Sequence, residues 1–177
     1  MSPYKRINRE LVHPGHIISL YHDTIEVNGE REVVYDFIHH NGASAMIPVD
    51  DDGKIYMVRQ YRNAVDQYTL EIPAGGLNSG EDPLTCAIRE CEEETGHKAG
   101  EVHHLVDLFT TVAFCNEKIS IYYTTGITPS AQNLDDDEFV TVEKYSLEEL
   151  TQMILNGKIV DAKTIAGLLA YKAKIEK

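Results

Sequence analysis

The chain has 177 residues, 42% of them apolar, which is enough for one well-buried domain and too few for two ordinary ones. A formal net charge of −13 argues against binding to nucleic acid or an anionic membrane, since both rest on Lys and Arg neutralising phosphates. Three cysteines without a C-x-x-C pair speak against a disulfide frame and a zinc site, and no apolar run approaches the ~20 residues that span a bilayer, so a reducing, cytoplasmic location is expected.

In chain order, the opening MSPYKRINRE lacks the apolar core of a secretory signal. HIISLYHDTIEV (16–27) and REVVYDFIHH (31–40) flank Asn28-Gly29 and predict a β-hairpin. A lone hairpin is marginal in water, so its apolar positions need another surface to cover them. ASAMIPV (43–49) and KIYMVRQYR (54–62), around the acidic turn Asp50-Asp51-Asp52-Gly53, predict a second hairpin, and DQYTLEIPAGG (66–76) predicts a strand running into a Pro-Ala-Gly-Gly turn.

A helix follows. Asp82 is its N-cap, Pro83 its first residue and Gly96 its C-terminal stop. Leu84, Ala87, Ile88 and Cys91 recur at helical spacing as its buried stripe, with Glu90, Glu93 and Glu94 on the other side. Like charges at this spacing cost a few tenths of a kcal/mol each in an isolated helix. A divalent cation reverses that sign, and clustered carboxylates suit hard cations, Mg²⁺ first and Mn²⁺ next. Strands are expected at 101–109, 118–127 and 138–145. Ser146 and Glu149 form a capping box for a helix closed by Gly157, and Asp161 caps a last helix bearing Ile165, Leu168 and Leu169. Strands around an embedded helix, with closing helices, give an α/β/α sandwich on a mixed sheet. The eight histidines show no metal-ligand spacing.

The stretch 75–97 carries a more specific message. Gly75, Glu81, Arg89, Glu90, Glu93, Glu94 and Gly96 fill every invariant place of the pattern G-x5-E-x7-R-E-U-x-E-E-x-G-U, a match that chance supplies roughly once in 10⁸ to 10⁹ start points at average residue usage. The chain thus resembles the Nudix hydrolases, with Cys91 and His97 at the two places where that family prefers an aliphatic residue. The resemblance extends to the ADP-ribose pyrophosphatase branch through Phe114, Asn116, Glu117 and Lys118, LDDDEFV (134–140) and GKIVDAKTIAGLLAYK (157–172). It fails at Val112 and Ala113, where that branch has its marker proline and a glycine.

The resemblance implies Mg²⁺-dependent hydrolysis of ADP-ribose to AMP and ribose 5-phosphate. A broader nucleoside-diphosphate-sugar pyrophosphatase and a noncatalytic nucleotide-binding regulator are the alternatives. Metal ligands would be Glu90, Glu93, Glu94 and the Ala74 carbonyl, with Mn²⁺ able to substitute. Arg89 and Glu81 would orient the helix, Arg59, Arg62 and Glu71 would meet the substrate, and the general base would be Glu138, Asp136 or Glu93. Residues 1–40 would form a strand segment packing in a homodimer, or else an edge hairpin on their own subunit, ahead of a Nudix domain at 41–177.

Overall fold

The computed structural model describes residues 2–134 and 138–176. The chain divides into two compact units, Met1–Gly42 with Phe109–Lys118, and Ala43–Leu108 with Ile119–Lys177.

The first unit is a three-stranded antiparallel sheet, β1 (Tyr4–Pro14), β2 (Ile18–Val27) and β3 (Arg31–His40), paired in the order β1-β2-β3. The Asn28-Gly29-Glu30 connection joins β2 to β3 and closes on the Val27–Arg31 pair, with Asn28 and Gly29 at positive φ, 55° and 71°, a backbone that Asn and Gly tolerate best. β1 is not foreseen by the sequence pattern. Its pairing with β2 slips between Arg6 and Asn8 and again between Leu11 and His13, and each irregularity shifts which side chains share a face, erasing the period-2 signal. Arg9 grips Asp23 through two bonds of 2.6 Å and lies 3.8 Å over the Phe37 ring. The 109–118 segment is held to β3 by Ile38 N–H donating to Phe114 O at 2.7 Å and by Asn116, whose side chain bonds both the N–H and the carbonyl of His40. Between them lies a cavity of about 320 Å³, lined by Asp23, Tyr35, Phe37, Val112, Phe114 and Asn116 among others.

In the second unit β4 (Ala43–Pro48) is flanked by β7 (Ala74–Gly76), antiparallel, and by β10 (Lys118–Thr125), parallel, with β9 (Glu101–Phe109) beyond. A separate antiparallel sheet has the order β12-β5-β6, from β5 (Lys54–Arg62), β6 (Gln67–Glu71) and β12 (Thr141–Ser146), and β8 (His97–Lys98) pairs with β11 (Thr128–Pro129). The expected β4–β5 hairpin is therefore corrected. The turn forms, with Gly53 N–H on Asp50 O, but among the described residues the two runs share no ladder beyond the isolated bridge Val49–Ile55. Five of the six residues of β4 are buried, so it must be lined on both edges, and it takes β7 and β10 as neighbours while β5 joins the other sheet.

Three helices complete the unit: α1 (Pro83–Thr95), α2 (Leu147–Leu155) and α3 (Ala162–Ile175). Ile47, Ile55, Met57, Ile72, Ile121 and Leu168 belong to a core that α2 and α3 help close. The Ser146–Glu149 capping box and the Asp161 cap are both present. Leu169, expected to cover the sheet, is 42% exposed instead. Among the described residues no helix is long and apolar enough to cross a membrane.

Candidate active site

The site is built where β6 ends, the chain turns through Ile72 and Pro73 into β7, and a short loop delivers it to α1. The helix starts and stops where the caps demand: Asp82 accepts from Leu84 and Thr85 N–H, Pro83 is its first residue, and Gly96 leaves it at φ 67°. Its buried face differs from the expected stripe. Cys86, Ala87, Cys91, Glu94 and Thr95 are buried, whereas Leu84 and Ile88 are exposed. The helix is turned so that Glu94 faces inward, where the Ala74 N–H offers it a donor that an apolar surface does not.

Glu94 is the innermost of the row. It is 2% exposed, and its Oε2 accepts the Ala74 N–H at 2.8 Å. Burial pushes its carboxyl up, the Ala74 bond only partly offsets this, and Glu90 and Glu138 add like charge, leaving it at about 8. Glu90 lies one turn earlier. An ideal Cβ on Gly75 would stand 2.0 Å from its Oε1, so only glycine lets the turn come this close to the carboxylate. Burial raises the Glu90 carboxyl too, against the Arg89 guanidinium that lowers it.

Arg89 binds three of the acids at once. Its Nε and Nη2 take Glu81 at 2.9 and 3.0 Å, and its Nη1 reaches Glu90 at 2.6 Å and Glu93 at 2.9 Å. Glu81 is also fixed by the Asn78 N–H, and Arg89 and that bond hold its carboxyl at about 2. Cys86 and Cys91 are buried thiols pushed up to about 12 by desolvation, and so are inert packing residues.

Oxygen donors from Glu90, Glu93, Glu94 and the 74–76 backbone, with no imidazole among them, suit a hard divalent cation. A buried Glu94 that is costly to ionise alone is where such a cation stabilises most. Among the described residues no three His, Cys, Asp or Glu side chains stand ready as a metal-binding group. Arg89 occupies Glu90 and Glu93, and Ala74 occupies Glu94, so a cation would have to displace Arg89 from part of its contacts.

The stretch after β11 is tied to the C-terminal end of α1: Ser130 N–H donates to Gly96 O at 2.7 Å, Gln132 Nε2 to Glu94 O at 2.6 Å and Asn133 N–H to Glu93 O at 3.0 Å. This brings Glu138 close enough for its charge to act on both Glu90 and Glu94. Asp136 lies outside the described residues.

Beside Glu94 is a second charged cluster. Arg62 clamps Glu71 side-on, Nε to Oε1 at 2.8 Å and Nη2 to Oε2 at 2.6 Å, and Thr69 Oγ donates to Oε1 at 2.5 Å. Lys163, at the start of α3, donates to Glu71 Oε2 and to Asp161 at 3.1 Å. Burial raises the Glu71 carboxyl, but Arg62 and Lys163 outweigh it and hold it at about 2. Arg59, by contrast, is bound to Glu143 at 2.5 Å, with Tyr145 on the same carboxylate, and among the described residues it makes no hydrogen bond to the α1 carboxylates. Glu81, Arg89, Glu90, Glu93, Glu94 and Ala74 are thus brought together, with Arg62 and Glu71 alongside. Lys163 is a residue that sequence reasoning missed. Its position two residues after the Asp161 cap is the one available signal, and a lysine in a first helical turn ordinarily reads as solvated.

Residues 38–168 match the profile described as the NUDIX domain. The chain is 36% identical over 166 residues to the methanol dehydrogenase activator of Bacillus methanolicus, covering 93% of this chain and 90% of that protein. It is 34% identical over 172 residues to the ADP-ribose pyrophosphatase of Bacillus subtilis (strain 168), covering 96% and 93%. Its fold matches a crystal structure of an ADP compounds hydrolase at a TM-score of 0.87, with 19% identity, over 99% of this chain and 96% of that one.

Proposed function

The chain belongs to the Nudix hydrolases, and on that footing we propose that it hydrolyses the pyrophosphate of ADP-ribose to AMP and ribose 5-phosphate, using Mg²⁺ with Mn²⁺ as a substitute. The observation that carries the substrate is the reach of the likeness: identity to an ADP-ribose pyrophosphatase runs over 96% of this chain, well past the 75–97 motif. Glu90, Glu93, Glu94 and the Ala74 carbonyl would hold the metal. Bound there, it would offset charge on the attacked phosphorus and lower the pKa of a water. Arg89 and Glu81 fix the helix against the turn. Arg62, clamped by Glu71, presents its remaining N–H groups to phosphate oxygens, and Arg59 is a second cation at the end of β5. Glu138, whose charge already acts on Glu90 and Glu94, takes the proton from water, with Asp136 and Glu93 as the alternatives.

Residues 1–40 serve, in this reading, as a dimerisation segment ahead of the catalytic domain at 41–177. What supports it is the sheet β1-β2-β3, which leaves Tyr4, Ile7, Leu11, Val34 and Tyr35 exposed and so has apolar surface to cover. A broader sugar-nucleotide activity is favoured by Val112, 81% exposed where the branch has its proline. Phosphate release from a panel of nucleotides, with Mg²⁺ and a coupled phosphatase, tests the activity and its substrate range. Turnover of ADP-ribose is expected. A panel without hydrolysis would refute the enzymatic reading of the site and favour the regulator reading, which the name of the Bacillus methanolicus relative also suggests.

A further inference from the structure

The cluster of Arg62, Glu71, Asp161 and Lys163 contains a buried lysine that the hydrolytic scheme leaves without a task. Lys163 is 8% exposed and Glu71 1%. Buried charges of this kind are expensive, and replacing such a pair with apolar side chains is often neutral or stabilising, so packing alone gives no reason to keep it. Its surroundings supply one. Glu71 Oε2 is shared between Arg62 Nη2 and Lys163 Nζ, Oε1 is taken by Arg62 Nε and Thr69, and both oxygens are therefore saturated. Arg62 keeps 41% of its side chain exposed, and among the described residues its Nη1 donates to no side chain. The same turn of α3 holds the chain just ahead of the 74–76 turn, since the Thr164 hydroxyl accepts the Ile72 N–H at 3.0 Å and is itself fixed on Asp161 at 2.6 Å. Two residues further on, the Ala74 N–H is on Glu94.

From this geometry we infer that Lys163 is a positioning residue: it saturates Glu71 so that the carboxylate holds Arg62 side-on, with Nη1 turned to a phosphate of the substrate. The inference rests on the pyrophosphatase reading of the site for its choice of ligand. Counting formal charges, Arg62 and Lys163 balance Glu71 and Asp161, whereas removal of Lys163 leaves the group at −1 beside Glu94, where a diphosphate is repelled. The loss falls on binding of the phosphates and not on the chemical step.

The test uses the full-length protein with Lys163→Met, which keeps length without charge, Lys163→Gln should the first not fold, and Lys163→Arg as the conservative replacement. Two measurements are made in Mg²⁺: kcat and KM on the substrate the wild type turns over, and the affinity for ADP by calorimetry. Loss of Lys163 is expected to raise KM and the Kd for ADP about tenfold, with kcat within about threefold, and Lys163→Arg is expected to restore both to within about threefold of wild type. A lowered melting temperature with KM and Kd unchanged, a fall in kcat as large as the rise in KM, or no recovery with arginine would overturn it. A wild type that hydrolyses nothing but binds ADP, with affinity lost on removing Lys163, would leave this inference standing and remove the catalytic one. Normal hydrolysis with KM and Kd indifferent to Lys163 would do the reverse, and a wild type that neither hydrolyses nor binds would refute both.

Discussion

Replacing Gly75 by alanine adds one methyl group at the tightest approach in the site. Its Cβ would lie 2.0 Å from Oε1, 2.2 Å from Cδ and 2.6 Å from Oε2 of Glu90, whereas ordinary contact begins at 3.4 Å, so the carboxylate must retreat by about 1.4 Å (3.4 less 2.0). The backbone itself is not at fault, since Gly75 is absent from the glycines at positive φ. Retreat breaks the 2.6 Å bond from Arg89 to Glu90 and moves one of the acids that would hold metal. Displacements of ~1 Å in catalytic geometry cost on the order of 10²-fold in rate, and overpacking costs ~1–3 kcal/mol of stability. Gly76→Ala is the matched control, because a Cβ there meets nothing within 4 Å. Steady-state kcat at saturating Mg²⁺ and a thermal melt on both variants are the assay. Gly75→Ala is expected to lose about 10²-fold in kcat while remaining folded, and Gly76→Ala to stay within about threefold of wild type. Retention of more than about a third of wild-type kcat by Gly75→Ala, or an equal loss in Gly76→Ala, would refute the steric account.

Glu93→Gln and Glu94→Gln should each lower turnover by at least about 10²-fold with the circular dichroism unchanged; retention of more than a tenth of the rate removes that residue from the machinery. Glu71 has a folded pKa of about 2 against an ordinary 4.5. A depressed carboxyl contributes stability that is present above about pH 4.5 and lost as pH falls toward 2, here of order 3 kcal/mol, and chemical denaturation across that window should show a loss that Glu71→Gln flattens. Light scattering should give about 40 kDa, twice the 19.9 kDa of one chain, and deleting residues 1–40 should abolish activity; a fully active 20 kDa species at micromolar concentration contradicts the dimer. Val112→Pro, alone or with Ala113→Gly, should stiffen the loop and narrow kcat/KM toward ADP-ribose over GDP-mannose and ADP-glucose. A wild type already favouring ADP-ribose by more than about 10⁴ shows that Val112 loosens nothing, since shape discrimination is worth only ~1–3 kcal/mol per misfit group.

The parts legible in the sequence were those specified by local chemistry. Asp82, Pro83 and Gly96 set the ends of α1 through their own backbone and side-chain bonds, and Asn28-Gly29 sets the hairpin through positive φ. What was not legible depends on partners distant in sequence. The partners of β4 are 29 to 33 positions away for β7 and 76 away for β10, as in Ala43 with Gly76 and with Ile119, and nothing in ASAMIPV names them. The rotation of α1 that buries Glu94 and exposes Leu84 and Ile88 is set by the Ala74 N–H, and helical periodicity alone ranks carboxylates as outward. Lys163 is buried against Glu71, 92 residues earlier, a partner that its local sequence does not reveal.

The irregular pairing of β1 bears on how copies of this protein can meet. β1 is the outer strand of its sheet, and its two register shifts, together with the exposed Lys5, Arg6 and Glu10, make it irregular and charged. Such an edge is a poor template for an incoming strand, which needs a flat, regular row of donors and acceptors. Contact through this sheet is therefore directed to a face, such as the one on which the register places both Leu11 and Tyr35, each about half exposed. A face used once is used up, whereas an edge extended by a strand presents a fresh edge. The bulged strand thus favours assemblies that close over those that grow into fibres.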